Sequence, residues 1–446
     1  MDLEAIDQLE YEPRMSDADA LMWSIEKDPQ LRSTIVWVTF LDRAPDTQRF
    51  TEVMERATCV VPRLRQRVLG HPMSIAPPRW EVDPNFDLHY HLRWMKVIGA
   101  GTSREVFDLA APIAMAGFDR ARPLWEMTVV EGLEDDRAAI IGKVHHAITD
   151  GVGGVKLQME MLDLERDPAT RARVPPPPEP RPLGESRRML DAVTYETGRQ
   201  LDAARHALLG ATGTMRRLAR DPVGVADDAL RTTGSLSRLL RPATEPLSPL
   251  LRDRSLSVRF DTVAIPLADL KASARLVGGR LNDAFVAAVS GGLRRYHDHF
   301  GTEVEALRMT MPINVRDPGA ELVVGNEFVP ARFAVPVGMA EPLERMDAIR
   351  RLVAEQRAEP ALALTRPVTQ LLNRLPTTAT TALFGSMLKG VDFVTSNVPG
   401  APITVYVAGA KVESQVAMAP MTGAATNITL LSYGSECHIG INVDPA

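Results

Sequence analysis

The sequence predicts an α/β (α+β) protein of two domains, and three observations support this. At 446 residues the chain is longer than one ordinary hydrophobic core requires. Short β-branched runs such as 140–144 alternate with segments of helical periodicity such as 282–296. The proline-rich segment 174–182 is typical of a stiff, extended linker. We therefore expect an N-terminal domain over 1–183, a helical connector over 184–256 and a C-terminal domain over 257–446.

Composition excludes several classes of protein. The net charge of −6 at pH 7 argues against general affinity for nucleic acid. Cys59 and Cys437 lie far apart and are expected to be free thiols. No apolar run reaches the roughly 20 residues of a spanning helix, and the acidic start is unlike a signal peptide. We expect a cytoplasmic protein, at most attached to a membrane surface. GxxxxGK[ST], GxGxxG and GxSxG patterns do not occur, which disfavours kinase, dehydrogenase and serine-hydrolase chemistry.

A histidine pair at the end of a predicted strand is the main candidate for catalysis. The run 140–144 is apolar and β-branched, and a helical pattern follows Gly151. Because neighbouring residues of a strand point to opposite faces, His145 and His146 should have different surroundings and different roles. Histidine is suited to accept a proton near neutral pH. Asp150 would either orient an imidazole or pair with an arginine, and Gly151 permits close approach of backbone or substrate.

Structural roles compete with this interpretation. A histidine is more often a packed structural residue than a catalyst. A metal site ranks last, because the chain has neither an HExxH motif nor a cysteine cluster. His89 and His91 alternate with apolar residues in a predicted extended segment, and we favour a polar strand face there over a metal pair.

The pattern His-His-x-x-x-Asp-Gly at 145–151 resembles the signature of the CoA-dependent acyltransferase and condensation-domain superfamily. More narrowly, the chain resembles the bacterial wax ester synthase/acyl-CoA:diacylglycerol acyltransferase family. Further stretches match that family in order, over nearly the whole chain: Pro123-Leu-Trp-Glu126, Asn282-Asp283, Met311-Pro-Ile-Asn-Val-Arg316, Gly325-Asn326 and Ser396-Asn-Val-Pro-Gly400. The resemblance implies two chloramphenicol-acetyltransferase-like domains, each a mixed sheet flanked by helices, with a tunnel at their interface.

The resemblance also implies roles for the residues of the motif. His146 would be the general base, and His145 would support the loop. Asp150 would hold the geometry of the loop through Arg316, and Gly151 completes the motif. No acyl-enzyme, cofactor or metal is expected, and acyl-CoA would be a co-substrate.

Other matched residues would lie along the substrate channel or support it. These are Arg316, Asp283, Trp125, Ser396, Asn397, Pro399 and Gly400. For Trp125 we prefer a core position beside the histidine strand. Residues 396–400 are predicted to form a rigid turn that either floors the channel or simply ends a strand. Asn282 is expected at a helix N-terminus, as an N-cap and as a candidate donor to the oxyanion.

The implied reaction is transfer of a long acyl chain from acyl-CoA to diacylglycerol or to a long-chain alcohol. One alternative is a carrier-protein donor, or an amine or polyketide acceptor. The other is a catalytically silent lipid-binding or lipid-droplet protein.

The connector raises a separate question. Residues 185–259 contain thirteen arginines and nine acidic residues, with apolar residues at helical spacing. We favour packing across the two domains over docking on anionic lipid through Arg216, Arg217, Arg220, Arg238 and Arg241.

Overall fold

The computed structural model of the protein shows two six-stranded mixed sheets flanked by helices. It describes residues 11–70, 76–148, 151–168, 175–221, 224, 231–235, 242–314, 328–359 and 365–446. The strands are β1 Thr34–Leu41, β2 Gln66–Leu69, β3 Arg79–Val82, β4 Leu92–Lys96, β5 Trp125–Glu131, β6 Ala138–His145, β7 Arg259–Pro266, β8 Ala306–Asn314, β9 Phe328–Pro336, β10 Phe393–Pro399, β11 Tyr406–Val407, β12 Ala410–Met418, β13 Thr426–Tyr433 and β14 Glu436–Val443.

The α-helices lie against the faces of the sheets and between them. They are α1 Asp17–Ile25, α2 Thr47–Val60, α3 Leu88–His91, α4 Ser103–Met115, α5 Gly151–Met161, α6 Glu185–Arg220, α7 Leu267–Arg275, α8 Leu281–His299, α9 Pro342–Arg357, α10 Thr365–Leu372 and α11 Thr377–Leu388.

The first sheet has the order β11-β12-β1-β6-β5-β4. Only the β4–β5 pair is parallel. Strands β5 and β6 form an antiparallel hairpin. Apolar residues of β1 and β6 alternate between two cores. Val38 and Ile141 pack on one face, whereas Leu41 and Ile140 pack on the other. The period-two pattern therefore places β6 as a central strand that is covered on both sides.

The second sheet has the order β7-β14-β13-β10-β8-β9. Strand β10 runs parallel to both of its neighbours, β13 and β8. Helices α7, α8 and α9 pack on this sheet around Phe285, Met309 and Ile349, which are all buried. Strands β13 and β14 form an antiparallel hairpin at the end of this sheet's chain segment.

Strand β12 belongs to the first sheet although it lies late in the chain. It pairs antiparallel with β1, from Val36 opposite Met418 to Leu41 opposite Val412. The predicted division at residue 257 therefore does not separate the two sheets. Strand pairing depends on contacts between distant residues, which local periodicity does not report.

Three local predictions were wrong, each for a reason visible in the structure. The segment around His89 is the helical turn α3, because Asp87 accepts a hydrogen bond from the His89 amide (3.0 Å) and caps it. The helical pattern over 368–389 predicts a single helix, but the structure has two helices there, and Pro376 precedes the second one. The turn expected at 396–400 is the end of strand β10, which pairs with β13 as far as Pro399.

Gly440 lets the two sheets approach each other. A Cβ atom at this position of β14 would stand 2.1 Å from the carbonyl oxygen of Ala417 in β12. We expect Gly440→Ala to destabilise the protein by about 1–3 kcal/mol, because backbone must shift to relieve the contact. The change would appear as a lower Tm. Gly292→Ala in α8 is the matched control: no atom lies within 4 Å, and alanine favours a helix, so the Tm should stay or rise. Equal Tm values for the two variants would contradict the prediction.

Candidate active site

The histidine pair lies where β6 ends and a 3₁₀ turn, His146–Ile148, begins. The amide of His145 donates to the carbonyl of Leu124 (3.0 Å), immediately before β5. The amide of His146 donates to the carbonyl of Ser33 (2.9 Å), immediately before β1. The backbone of the pair is therefore held from both neighbouring strands.

The His145 imidazole is enclosed. It is 1% exposed, and the rings of Trp23 and Phe118 meet it edge-on at 5.5 and 6.3 Å between centroids. Its Nδ1 accepts a hydrogen bond from the Ala147 amide (3.0 Å). The proton of the neutral ring is therefore on Nε2, which lies 2.9 Å from Oε1 of Glu26. These contacts fix the tautomer and the orientation of the ring.

Glu26 connects the two histidines. Its Oε1 also accepts the Ser33 amide proton (2.6 Å), and Arg120 lies 3.7 Å from Oε2. Burial raises the pKa of the Glu26 carboxyl, but the contacts with His145 and Ser33 outweigh it and hold the pKa below its ordinary value. Because Ser33 also receives the His146 amide, one ionised carboxylate supports both residues of the pair.

His146 has different surroundings from His145. Its side chain is half-buried, whereas that of His145 is enclosed. Gly151 is the first residue of α5, so the predicted strand-to-helix joint is present. Asp150 and Arg316 lie outside the described residues, as do Gly325 and Asn326, and their pairing stays a prediction.

The stretch Pro123–Glu126 supports the histidine strand from β5. Trp125 is 1% exposed, donates from Nε1 to the Leu64 carbonyl (2.8 Å) and stacks on the His91 ring. Glu126 lies 2.5 Å from Arg93 and 3.8 Å from Lys143, which is buried one strand away. Trp125 therefore occupies a core position beside the histidine strand, as expected.

Asn282 and Asp283 lie at the start of α8 in the second half of the chain. The helix begins at Leu281, so Arg280 occupies the N-cap and Asn282 does not, contrary to the expectation. The Asp283 carboxylate accepts the Arg280 amide proton (2.7 Å) and caps the helix. The Asn282 amide group contacts the sulfur of Met311 (3.4 Å).

Residues 396–400 lie at the exposed end of β10. Asn397 and Pro399 are exposed, and Ser396 is half-buried. The Gly400 amide donates to the Ser432 hydroxyl (3.4 Å), and a side chain at Gly400 would collide with the Ser432 carbonyl. Within the described ranges, three or more His, Cys, Asp or Glu side chains do not cluster in a way that would bind a metal ion.

Comparison with protein families decides the relationship. Residues 15–285 match the wax ester synthase/diacylglycerol acyltransferase catalytic domain, and residues 324–446 match the C-terminal domain of the same family. The chain belongs to the wax ester synthase/diacylglycerol acyltransferase family. It is therefore an acyltransferase, as the ordered motifs predicted.

Individual relatives agree with this assignment. The acyltransferase is 40% identical to a protein of Mycobacterium tuberculosis (strain H37Rv) provisionally named a diacylglycerol O-acyltransferase, over 97% of this chain and 88% of the relative. Its fold matches the wax ester synthase/diacylglycerol acyltransferase of Marinobacter aquaeolei VT8, with a TM-score of 0.61 and 20% identity over 97% and 93% of the two chains. It also matches a starter condensation domain of rhizomide synthetase in complex with C8-CoA, with a TM-score of 0.52 and 13% identity over 97% and 89%. The predicted fold class is confirmed.

In this acyltransferase the residues that sequence reasoning missed are those behind His145. These residues lie far from the motif in sequence and form no recognisable pattern with it. They are Trp23, Glu26, Ser33 and Arg120. Trp23 also lies beneath Arg120, whose guanidinium carbon is 4.1 Å from a Trp23 ring centroid. A glutamate at a helix C-terminus carries no local signal of function, so only the tertiary contact identifies it.

Glu26→Ala should lower the Tm more than Glu26→Gln, because alanine leaves the His145 and Ser33 N–H groups without an acceptor, at about 1–3 kcal/mol each. Glutamine keeps an acceptor oxygen and removes the charge. Glu52→Gln, at an exposed site on α2, is the control and should have no effect.

The pH dependence of stability tests the charge of Glu26. Because its folded pKa is lowered, the stabilisation by the carboxylate is complete above the ordinary value of 4.5 and is lost as the pH falls through the folded pKa. The Tm difference between wild type and Glu26→Gln should therefore be constant between about pH 7 and 5 and shrink below that range. A difference that grows on acidification would refute this account.

Proposed function

We propose that the enzyme transfers a long acyl chain from acyl-CoA to the hydroxyl of diacylglycerol or of a long-chain alcohol, with His146 as general base. The observation that carries the proposal is the contrast within the pair. His145 is enclosed with both ring nitrogens in contact, whereas His146 stands half-buried at the end of the strand. A general base must reach a substrate proton, which favours His146. The related condensation fold in complex with C8-CoA supports a thioester of CoA as the donor.

The chemistry requires one base and no covalent enzyme intermediate. As the acceptor oxygen attacks the thioester carbonyl, its proton passes to the His146 imidazole. The carbon–sulfur bond then breaks, and the leaving thiolate of CoA takes the proton from the imidazolium. Asn282 is the candidate donor to the oxyanion, and Asp150 with Arg316 would hold the loop. No cofactor or metal takes part in this scheme.

The partners follow from the reaction. They are acyl-CoA and a water-insoluble acceptor, and nucleic acid is not among them. The location that fits these substrates is the cytoplasm, at the surface of the inner membrane or of lipid droplets. In the described part of the chain, every helix is too short or too polar to cross a bilayer.

Labelled palmitoyl-CoA, offered with diacylglycerol and hexadecanol in parallel, tests the proposal. Wild type should form triacylglycerol or wax ester, and the preferred product names the acceptor. His146→Ala should lower kcat by about 10²–10⁴-fold with little change in Tm. His145→Ala should lower both activity and Tm, because it empties an enclosed site beside Glu26.

A His146→Ala variant that keeps most of the wild-type rate would overturn the base assignment. Palmitoyl groups on a carrier protein and amine acceptors serve as alternative substrates in the same assay. Turnover with these alone would favour the condensation-type reaction. Lipid binding without any turnover, unchanged by His146→Ala, would favour a silent lipid-binding protein.

A further inference from the structure

The described side chains of the connector helix α6 pack on the protein by one side of the helix. The helix spans Glu185–Arg220, 36 residues, or about 54 Å at 1.5 Å per residue. On the packed side Ala192 is 1% exposed, Arg199 pairs with Asp17 (2.9 Å), and Arg14 lies over the Tyr195 ring. The expected packing therefore exists, but it involves small and polar residues rather than the leucines of the helix.

The leucines face outward instead. Leu190, Leu201 and Leu208 are 67%, 67% and 71% exposed, and Val193 is 43% exposed. At 100° per residue the three leucines fall opposite Ala192, and Val193 lies at one edge of the same side. We call this side the outer stripe, and all of its members are exposed: Leu190, Val193, Thr194, Thr197, Leu201, Ala204 and Leu208. It contains no charged residue over about five turns, where a water-facing helix would normally carry several.

The polar groups of the outer stripe do not need water. The Thr194 hydroxyl donates to the Leu190 carbonyl (2.8 Å), and the Thr197 hydroxyl donates to the Val193 carbonyl (2.8 Å). These hydroxyls are satisfied by their own helix, as threonine hydroxyls are in apolar surroundings. The whole stripe can therefore enter an apolar phase without losing a hydrogen bond.

Charge at the border of the stripe indicates the kind of surface. Arg187 and Arg205 are exposed along one border of the stripe. The acidic residues lie farther round: Asp191, which pairs with Arg79 (3.1 Å), Glu196, which pairs with Arg374 (2.5 Å), and Asp202. An apolar stripe bordered by arginine is the pattern of a helix that lies in a lipid–water interface.

The packed side of α6 faces the neighbourhood of the histidine pair. Glu196 and Arg199 line a cavity of about 160 Å³ together with Trp23 and Arg120. Trp23 contacts the His145 ring, and α1, which carries Trp23, contacts the 3₁₀ turn that begins at His146. A surface that meets the outer stripe would therefore lie one helix away from this cavity.

We propose that the outer stripe of α6 docks the enzyme on an anionic phospholipid surface, beside the route by which water-insoluble acceptors reach the histidine pair. The second half of this inference rests on the proposed function, whereas the docking itself does not. The net charge of −6 opposes adhesion of the whole protein to anionic lipid, so binding depends on insertion of the leucines and on the local arginines.

A second copy of the helix fits the stripe less well. Paired helices are specified by opposite charges at the positions that flank the apolar seam. At the edge away from the arginines these positions are Val193, which is itself the last member of the stripe, and Gln200 and Ala207 beyond it, and none of them is charged. In a parallel helix pair, Arg187 and Arg205 on the opposite edge would face these uncharged positions and find no acidic partner there.

Co-flotation of the full-length protein with vesicles of phosphatidylcholine and phosphatidylglycerol tests the docking. The variant Leu190→Gln/Leu201→Gln/Leu208→Gln removes the inserted side chains. The matched control, Leu164→Gln/Leu276→Gln/Leu343→Gln, changes three leucines elsewhere that are 70%, 70% and 49% exposed. We expect the outer-stripe variant to bind vesicles about a hundredfold more weakly and the control to bind like wild type.

The arginine border has its own test. Arg187→Gln/Arg205→Gln should remove most of the dependence of binding on the phosphatidylglycerol content of the vesicles and leave the binding to phosphatidylcholine alone unchanged. Binding of this variant that still rises with phosphatidylglycerol as steeply as in wild type would overturn the arginine part of the proposal.

Transferase activity separates the docking from the proposed function. With diacylglycerol embedded in vesicles, the outer-stripe variant should lose activity; with an acceptor dispersed in detergent, it should match wild type. If wild type transfers no acyl group to the acceptor in vesicles or in detergent, the proposed function is contradicted. The vesicle-binding assay would still test the docking independently.

Two results would overturn the docking. One is that the outer-stripe variant and the control bind vesicles equally well, or that wild type does not bind vesicles. The other is a wild-type dimer that the outer-stripe substitutions convert to a monomer without any effect on vesicle binding, which would make the stripe an interface between two copies.

Discussion

The pairing of β12 with β1 is the constraint on which the rest of the structure depends. Strand β1 lies between β12 and the histidine strand β6, so a late segment of the chain completes the sheet that carries His145. Gly440 in β14 brings the second sheet against the backbone of β12. Strand β12 and Gly440 therefore link the two halves of the chain through backbone contacts.

Glu26 explains how the fold divides the work between two adjacent histidines. Burying a carboxylate is costly unless it is paired and hydrogen-bonded, and here an imidazole, an amide and a guanidinium surround it. The Nδ1 and Nε2 atoms of His145 are engaged, so its ring is oriented by the protein on both sides. His146 keeps its backbone in the same clamp through Ser33, while its side chain is less enclosed. The arrangement matches an enzyme in which one histidine is structural support and the next is the base.

Helix α6 has two sides with different surroundings. Its packed side closes a cavity near Trp23, and its outer stripe carries leucines on the surface of the protein. An enzyme of this family handles one substrate that is soluble and another that resides in lipid, if the proposed reaction holds. A lipid-docking helix beside the cavity would shorten the path of the insoluble acceptor, whereas acyl-CoA would arrive from water. If the docking is confirmed, the same helix would couple membrane binding to access to the histidine pair.

The sequence by itself determined the secondary structure around the motif, the mixed fold class and the family, because these depend on local periodicity and on ordered motifs. The β5–β6 hairpin, helix α5 after Gly151 and the burial of Trp125 were all predictable in this way. The tertiary structure alone decided that β12 joins the first sheet, that Glu26 supports both histidines and that the leucines of α6 face outward. Each of these depends on which distant surface a segment meets: the same amphipathic pattern of α6 is compatible with packing by either side. Helical periodicity defines the two sides of such a helix, and only the folded chain decides which of them is covered.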